Sequence, residues 1–160
     1  MYDFDYQRPA DEKAAVAALQ GDARYLAGGQ SLVQAMRLRL SSSERLVDLG
    51  AVAGLKGIRA GAGTLTIGAM TPHAAVASSP EVRRAIPALA QLAGGIGDPS
   101  VRNMGTLGGS IANADPAADY PAALLALGAT VRTDRRTIGA DQFFTGLYET
   151  ALKDGEVITA

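Results

Sequence analysis

Two glycine pairs set the terms on which this chain can fold. Ala27-Gly28-Gly29-Gln30-Ser31-Leu32 separates a short strand-like segment from a run with helical spacing. Thr106-Leu107-Gly108-Gly109-Ser110 lies in the longest glycine-rich stretch, which begins at Gly94. Glycine lets backbone N–H groups approach an anion closely, and a helix starting just beyond adds the positive end of its dipole. Ser31 offers a hydroxyl to the first loop; Thr106 and Ser110 offer one on each side of the second. Either loop alone also reads as an ordinary turn before a helix. Two of them in 160 residues are more informative, because together they can clamp the two phosphates of a dinucleotide from different sides. Neither is a phosphate-binding loop of the Gly-Lys-Ser/Thr type, and Gly105-Thr106-Leu107-Gly108-Gly109 lacks the spacing and preceding strand of the Rossmann fingerprint.

The segments around the loops predict an alternation of strands and helices. Residues 3–8 read as an extended entry closed by Pro9, and Asp11 is placed to cap a helix running to about Leu19. Residues 23–27 form a strand candidate. Ser31 is the expected cap of a helix from Leu32 to about Leu40, with Leu32, Ala35, Met36 and Leu40 on one face and Arg37 and Arg39 in solvent. Residues 45–49 are a second strand. Residues 57–60 and 64–69 then alternate like a hairpin with a turn at 61–63. Thr71 is the expected cap of a helix beginning near Pro72, and Pro80 begins another, interrupted by Pro87. Asp115 leads into an Ala/Leu-rich helix over about 117–127. Residues 130–133 and 136–139 suggest a strand pair, Phe143-Phe144 opens an irregular or helical piece, and 156–159 looks like the start of a strand. The chain then stops in mid-pattern.

Composition excludes several classes of chemistry. Lys+Arg is 15 and Asp+Glu is 16, a net charge of −1, which lacks the basic surplus a general nucleic-acid binder needs. There is no cysteine, so disulfides, thiolate catalysis and cysteine-held zinc or iron–sulfur clusters are ruled out for this chain. A single histidine, His73, leaves no material for a multi-histidine metal site; it is expected in a surface turn with a structural or solvent role. No apolar run approaches the ~18 residues of a membrane span, and Met1-Tyr2-Asp3-Phe4-Asp5-Tyr6 has no features of a secretory signal. The expectation is a soluble cytoplasmic protein whose chemistry is borrowed from a cofactor. Arg102 is a candidate phosphate or carboxylate partner or a plain surface residue, and Met36 and Met104 are expected in packing. Asp115 reads as a helix cap, and Asp119 as either a first-turn acid or an acceptor for a sugar hydroxyl.

Taken in order, the pieces resemble the medium, flavoprotein subunit of molybdenum hydroxylases, the xanthine dehydrogenase and aerobic carbon monoxide dehydrogenase type. The resemblance rests on Ala27 to Leu32 and on Thr106-Leu107-Gly108-Gly109-Ser110-Ile111-Ala112-Asn113-Ala114-Asp115-Pro116-Ala117-Ala118-Asp119. Phe4-Asp5-Tyr6, Leu46-Val47-Asp48-Leu49, Gly97 to Asn103, Phe143-Phe144-Thr145-Gly146 and Gly155-Glu156-Val157-Ile158 support it. The resemblance implies an α+β fold, the two-lobed vanillyl-alcohol-oxidase-like (PCMH-type) FAD-binding domain. Residues 1–50 would form the first lobe and 51–160 the second, with the family's C-terminal domain absent. It places non-covalent FAD between the lobes, since Gln30 stands where some relatives of the wider fold carry a histidine that attaches the cofactor.

By the same resemblance the pyrophosphate is held by Ala27, Gly28, Gly29, Gln30, Ser31 and Leu32 on one side and by Thr106, Gly108, Gly109 and Ser110 on the other. Asn113 and Asp115 complete that region, Asp119 lies near the ribityl chain, and Val157 or Ile158 packs near the isoalloxazine ring. No metal site and no catalytic side chain is implied. The implied function is electron transfer, from 2Fe–2S clusters on a small subunit to an external acceptor, beside a molybdenum cofactor-containing large subunit in a heterotrimer. Two other functions stay open: a stand-alone flavin oxidoreductase of the same fold, and an interaction module that has lost FAD.

Overall fold

The computed structural model describes residues 1–160. The chain opens with strand β1 (Asp5–Gln7), helix α1 (Glu12–Ala18), strand β2 (Ala23–Leu26), helix α2 (Leu32–Arg37) and strand β3 (Arg45–Asp48). The three strands form a parallel sheet in the order β1–β3–β2. Leu46 and Val47 are both buried, so the central strand is covered on both faces, as parallel sheets require. Asp11 caps α1 as expected, its Oδ1 accepting from the Ala14 N–H at 2.9 Å.

Helix α2 departs from expectation at both ends. Ser31 makes no capping bond, and the helix stops at Arg37. Arg39 takes a left-handed φ of 60°, while the Arg39 N–H donates to Met36 O and the Leu40 N–H to Ala35 O. These are the two bonds of a Schellman turn. The turn throws Leu38 and Leu40 outward, 70% and 78% exposed, although Leu40 fits the helical apolar stripe. Met36 is buried, as expected.

Two short 3-10 turns (49–51 and 53–55) lead to the hairpin of β4 (Ile58–Gly61) and β5 (Thr64–Ile67). Gly61 pairs with Thr64, and both turn residues, Ala62 and Gly63, have positive φ. That is the type I′ geometry matching the twist of antiparallel strands.

Six helices follow: α3 (His73–Ser78), α4 (Pro80–Ala85), α5 (Pro87–Gly95), α6 (Pro99–Met104), α7 (Leu107–Asn113) and α8 (Asp119–Ala126). Proline opens α4, α5 and α6, where its missing N–H costs nothing. Ile86 is non-helical (φ −143°, ψ 76°), so Pro87 separates two helices rather than kinking one. The stretch from Gly94 to Ser110 holds most of two helices. Asp98 Oδ1 accepts from Val101 N–H at 2.9 Å and Thr106 Oγ1 from Gly109 N–H at 3.1 Å, and these caps override the low helix propensity of glycine.

Thr71 caps nothing. Its hydroxyl is paired with the backbone of Gly57, and Pro72 occupies the position before α3. Asp115 accepts from Ala117 N–H at 2.9 Å, a local turn, and α8 begins later than expected with Ala118 at its cap. The chain closes with β6 (Thr130–Arg132) antiparallel to β7 (Thr137–Gly139), helix α9 (Ala140–Phe143), and the small hairpin of β8 (Phe144–Gly146) and β9 (Glu149–Thr150). The mixture of strands and helices is α+β.

The apolar core divides in two. The smaller cluster joins Ala15, Val47, Leu49, Val52, Leu55, Met70 and Val157. The larger gathers α3, α4, α5, α7 and α8 with β5, β6, β7, α9 and Ile158. Successive residues of an extended chain point to opposite sides; Val157 therefore enters one core and Ile158 the other.

Candidate functional site

A cleft of about 430 Å³ runs along the two glycine segments. All six residues Ala27 to Leu32 line it, as do Thr106, Gly108, Gly109, Ser110, Asn113, Asp115, Val157 and Ile158. Asp119 does not line it; it is exposed in the first turn of α8, one residue beyond Ala118, which does. The structure thus gathers residues far apart in sequence onto one surface.

The segments touch each other. A Cβ on Gly28 would stand 2.0 Å from Met104 O, and one on Gly109 would stand 3.2 Å from Ala27 Cβ. Gly108 is as tightly placed, its missing Cβ falling 2.5 Å from Ala69 Cβ. These glycines are needed first for backbone to meet backbone, since no side chain fits.

The two segments differ in their donors. In the first turn of α7 the N–H of Leu107 donates to Thr71 O (3.1 Å), that of Gly108 to Ala69 O (2.8 Å) and that of Gly109 to Thr106 Oγ1 (3.1 Å). Those donors are committed within the protein. The backbone N–H groups of Gly28, Gly29, Gln30, Ser31 and Leu32 donate to no protein acceptor, and the Gln30 amide folds back on Gly28 O at 3.2 Å. Backbone donors are rarely left without a partner unless water or a ligand takes them. Helices α2 and α7 have 6 and 7 residues, so the free amides of 28–32 outweigh any helix dipole as an anion-binding feature.

The third wall comes from the end of the chain. Glu156 is buried and lines the cleft. Its carboxylate accepts from Arg136 Nε and Nη2 at 2.9 Å each, Thr133 Oγ1 at 2.7 Å and Lys153 N–H at 2.8 Å. The Arg136 guanidinium holds the carboxyl well below the usual range, at about 2, with Lys153 and Thr133 assisting against burial. The Val157 N–H donates to Asp134 Oδ1 at 2.9 Å. These bonds fix Val157 and Ile158 against the cleft.

Three expectations about single residues are corrected. His73 is not on the surface: it is 5% exposed, its N–H donates to Gly105 O, and its ring packs 5.3 Å from that of Tyr120. The chain is pinned there by a bridge between Pro72 and Thr106, which carries the imidazole inward to the cleft wall. Burial lowers its pKa, partly opposed by Asp119. Arg102 donates to the carbonyls of Ile96 and Gly97 and braces the start of α6. Met104 is 58% exposed, because its backbone, rather than its side chain, meets Gly28.

Sequence reasoning missed Tyr25, Gly105 and Glu156 as cleft residues along with His73. Glu156, directly before Val157, was the one with a readable signal. No group of His, Asp and Glu is arranged to hold a metal, and no helix is long and apolar enough to cross a membrane.

Comparison with known proteins identifies the class that this fold and cleft define. Residues 2–160 match the family described as the FAD binding domain in molybdopterin dehydrogenase. The chain is 43% identical over 162 residues to the carbon monoxide dehydrogenase medium chain of Hydrogenophaga pseudoflava, covering 97% of this chain and 56% of that one. It is 38% identical to the nicotine 6-hydroxylase medium subunit of Paenarthrobacter nicotinovorans, covering 96% and 56%. The structure of the Hydrogenophaga pseudoflava enzyme superposes with a TM-score of 0.94 over 98% of this chain and 57% of the solved one. Quinoline 2-oxidoreductase from Pseudomonas putida 86, 38% identical, superposes with 0.95 over 99% and 57%. The chain belongs to the FAD-binding domains of the molybdopterin dehydrogenases, and the cofactor of that family is FAD. It spans a little over half the length of these relatives.

Proposed function

We propose that this chain binds FAD non-covalently in the cleft and serves as the FAD-carrying electron-transfer part of a molybdenum hydroxylase complex. The observation that carries this reading is the run of five unpartnered backbone N–H groups at Gly28 to Leu32, on the wall of a cleft whose volume suits a small-molecule ligand. Such a run suits the pyrophosphate, with the Ser31 hydroxyl beside it. Gln30 offers no nucleophile for a covalent link. Asp119, exposed just beyond Ala118 at the cleft wall, would accept a hydrogen bond from a ribityl hydroxyl. Val157 or Ile158 supplies apolar contact for the flavin ring, the segment being held in place by the Glu156–Arg136 pair.

The two hydrophobic clusters support a two-lobed PCMH-type arrangement divided near residue 50. The smaller cluster borrows Val52, Leu55, Met70 and Val157 from the far side of that boundary.

Bound FAD supplies the redox chemistry; the residues of the chain bind, orient and shield it. With no cysteine to hold a cluster, the chain draws its electrons from 2Fe–2S centres on a small subunit. The molybdenum cofactor-containing large subunit oxidises the substrate, and the electrons leave for an external acceptor. We place the complex, a heterotrimer, in the cytoplasm.

The test is a visible spectrum after incubation with FAD and removal of the free cofactor. Retained flavin absorption that denaturation releases supports the reading. Flavin retained through denaturation overturns the non-covalent assignment. No retention by the folded chain, alone or with its partner subunits, overturns FAD binding.

A further inference from the structure

Building on the FAD reading above, we infer that His73 is a ligand-contact residue, its Nε2 hydrogen-bonding the dinucleotide in the cleft. His73 is 5% exposed, and neither ring nitrogen has a hydrogen-bond partner in the protein; Nδ1 is fully buried, which leaves Nε2 as the nitrogen a ligand in the cleft can reach. The hydroxyl of Tyr120, whose ring lies against the imidazole, is likewise buried and without a partner. A buried polar group with no partner is costly, so folded proteins seldom keep one without a reason. His73 lines the cleft, and its Nε2 lies beside Gly105. A Cβ on Gly105 would stand 2.6 Å from His73 Nε2; any larger residue would cover that nitrogen. Gly105 also lines the cleft. The imidazole therefore stands at the wall with a free nitrogen, next to the segment that carries Thr106, Gly108 and Gly109.

A buried histidine kept only for packing would be replaced without loss by an apolar ring of similar size. One kept for a ligand is a local liability until the ligand arrives, and the two cases separate experimentally. His73 is the sole histidine, so heteronuclear NMR of the imidazole nitrogens reports on this residue alone. Titration of the 160-residue chain with FAD is expected to shift one ring-nitrogen resonance far more than the carbon-bound ring protons, which monitor ring-current effects. Parallel titrations with ADP and FMN locate the contact on one half of the dinucleotide.

His73→Phe is expected to weaken FAD binding about tenfold while leaving the ligand-free Tm unchanged or raised. His73→Gln, which keeps a hydrogen-bonding group, should recover part of the affinity. Ring-nitrogen resonances unmoved at saturating FAD, or a folded His73→Phe chain that binds FAD as tightly as the wild type, overturns this inference alone. A folded wild-type chain that binds no FAD either alone or with its partner subunits overturns the FAD reading and this inference with it.

Discussion

The segments Ala27–Leu32 and Thr106–Ser110 share a glycine pair and a serine, yet they do different work. The second turns its donors inward: Leu107, Gly108 and Gly109 spend their N–H groups on Thr71, Ala69 and Thr106. The first leaves five in a row unspent. One segment builds the wall and the other keeps its donors free for an anion. Glycine content alone does not mark a phosphate site; what marks it is a set of donors that the rest of the fold has left without acceptors.

The largest effect should come from the point where the two segments meet. Gly28→Ala forces a Cβ to within 2.0 Å of a backbone carbonyl, that of Met104. Backbone cannot yield as a side-chain tip does, so a loss of about 2–4 kcal/mol is expected, with flavin retention abolished. Thermal unfolding and the visible spectrum check both. A stable, yellow Gly28→Ala chain would show that the segments need not touch.

Glu156→Gln comes next and probes the third wall. It leaves the Arg136 guanidinium without its counter-charge and should cost about 1–3 kcal/mol. It also changes the response to acid. The folded Glu156 carboxyl sits at about 2, against about 4.3 for a free glutamate. Its contribution to stability is therefore complete above about pH 5 and is lost as the pH falls toward 2. Urea midpoints at pH 6 and pH 3 should fall less steeply with acid in the variant than in the wild type; equal slopes would contradict the pairing.

Two hydroxyl deletions sharpen the contrast between segments. Ser31 makes no capping bond, so Ser31→Ala should leave the ligand-free stability within about 0.5 kcal/mol and weaken FAD by about tenfold. Thr106 caps α7 through Gly109, so Thr106→Val should lower stability by about 1 kcal/mol with a smaller direct effect on affinity. Calorimetry with and without FAD measures both; the reverse pattern would exchange the roles assigned to the segments. The smallest structural effect is expected of Asp119→Ala, whose side chain is exposed. The ligand-free Tm should stay put while FAD retention weakens, and an unchanged affinity would remove Asp119 from the site.

Much of the fold was legible because its signals are local. Asp11 capping α1, proline at the start of α4, and the turn between β4 and β5 each depend on a few neighbouring residues. The extent of α2 was misread because Leu40 fits the helical stripe, whereas the positive φ at Arg39 ends the helix. Residues 106–110 read as a glycine loop because glycine disfavours helices on average; Thr106, as a cap, decides otherwise. In the site, the glycine segments and Val157–Ile158 were legible as an ordered pattern. His73 was not, because nothing adjacent to it in sequence says that Pro72 will pair with Thr106 and draw the ring inward.

The sequence by itself determined which chemistry this chain can hold. Without cysteine and with one histidine it can build no cysteine-held or multi-histidine metal site, and two glycine segments let backbone approach a ligand. These properties follow from residue identity and short-range stereochemistry. The tertiary structure decided which amides remain free, which wall Glu156 and His73 join, and that Val157 and Ile158 reach into different cores. Those outcomes depend on acceptors and packing partners supplied from distant parts of the chain, and only the assembled backbone brings them within hydrogen-bonding distance.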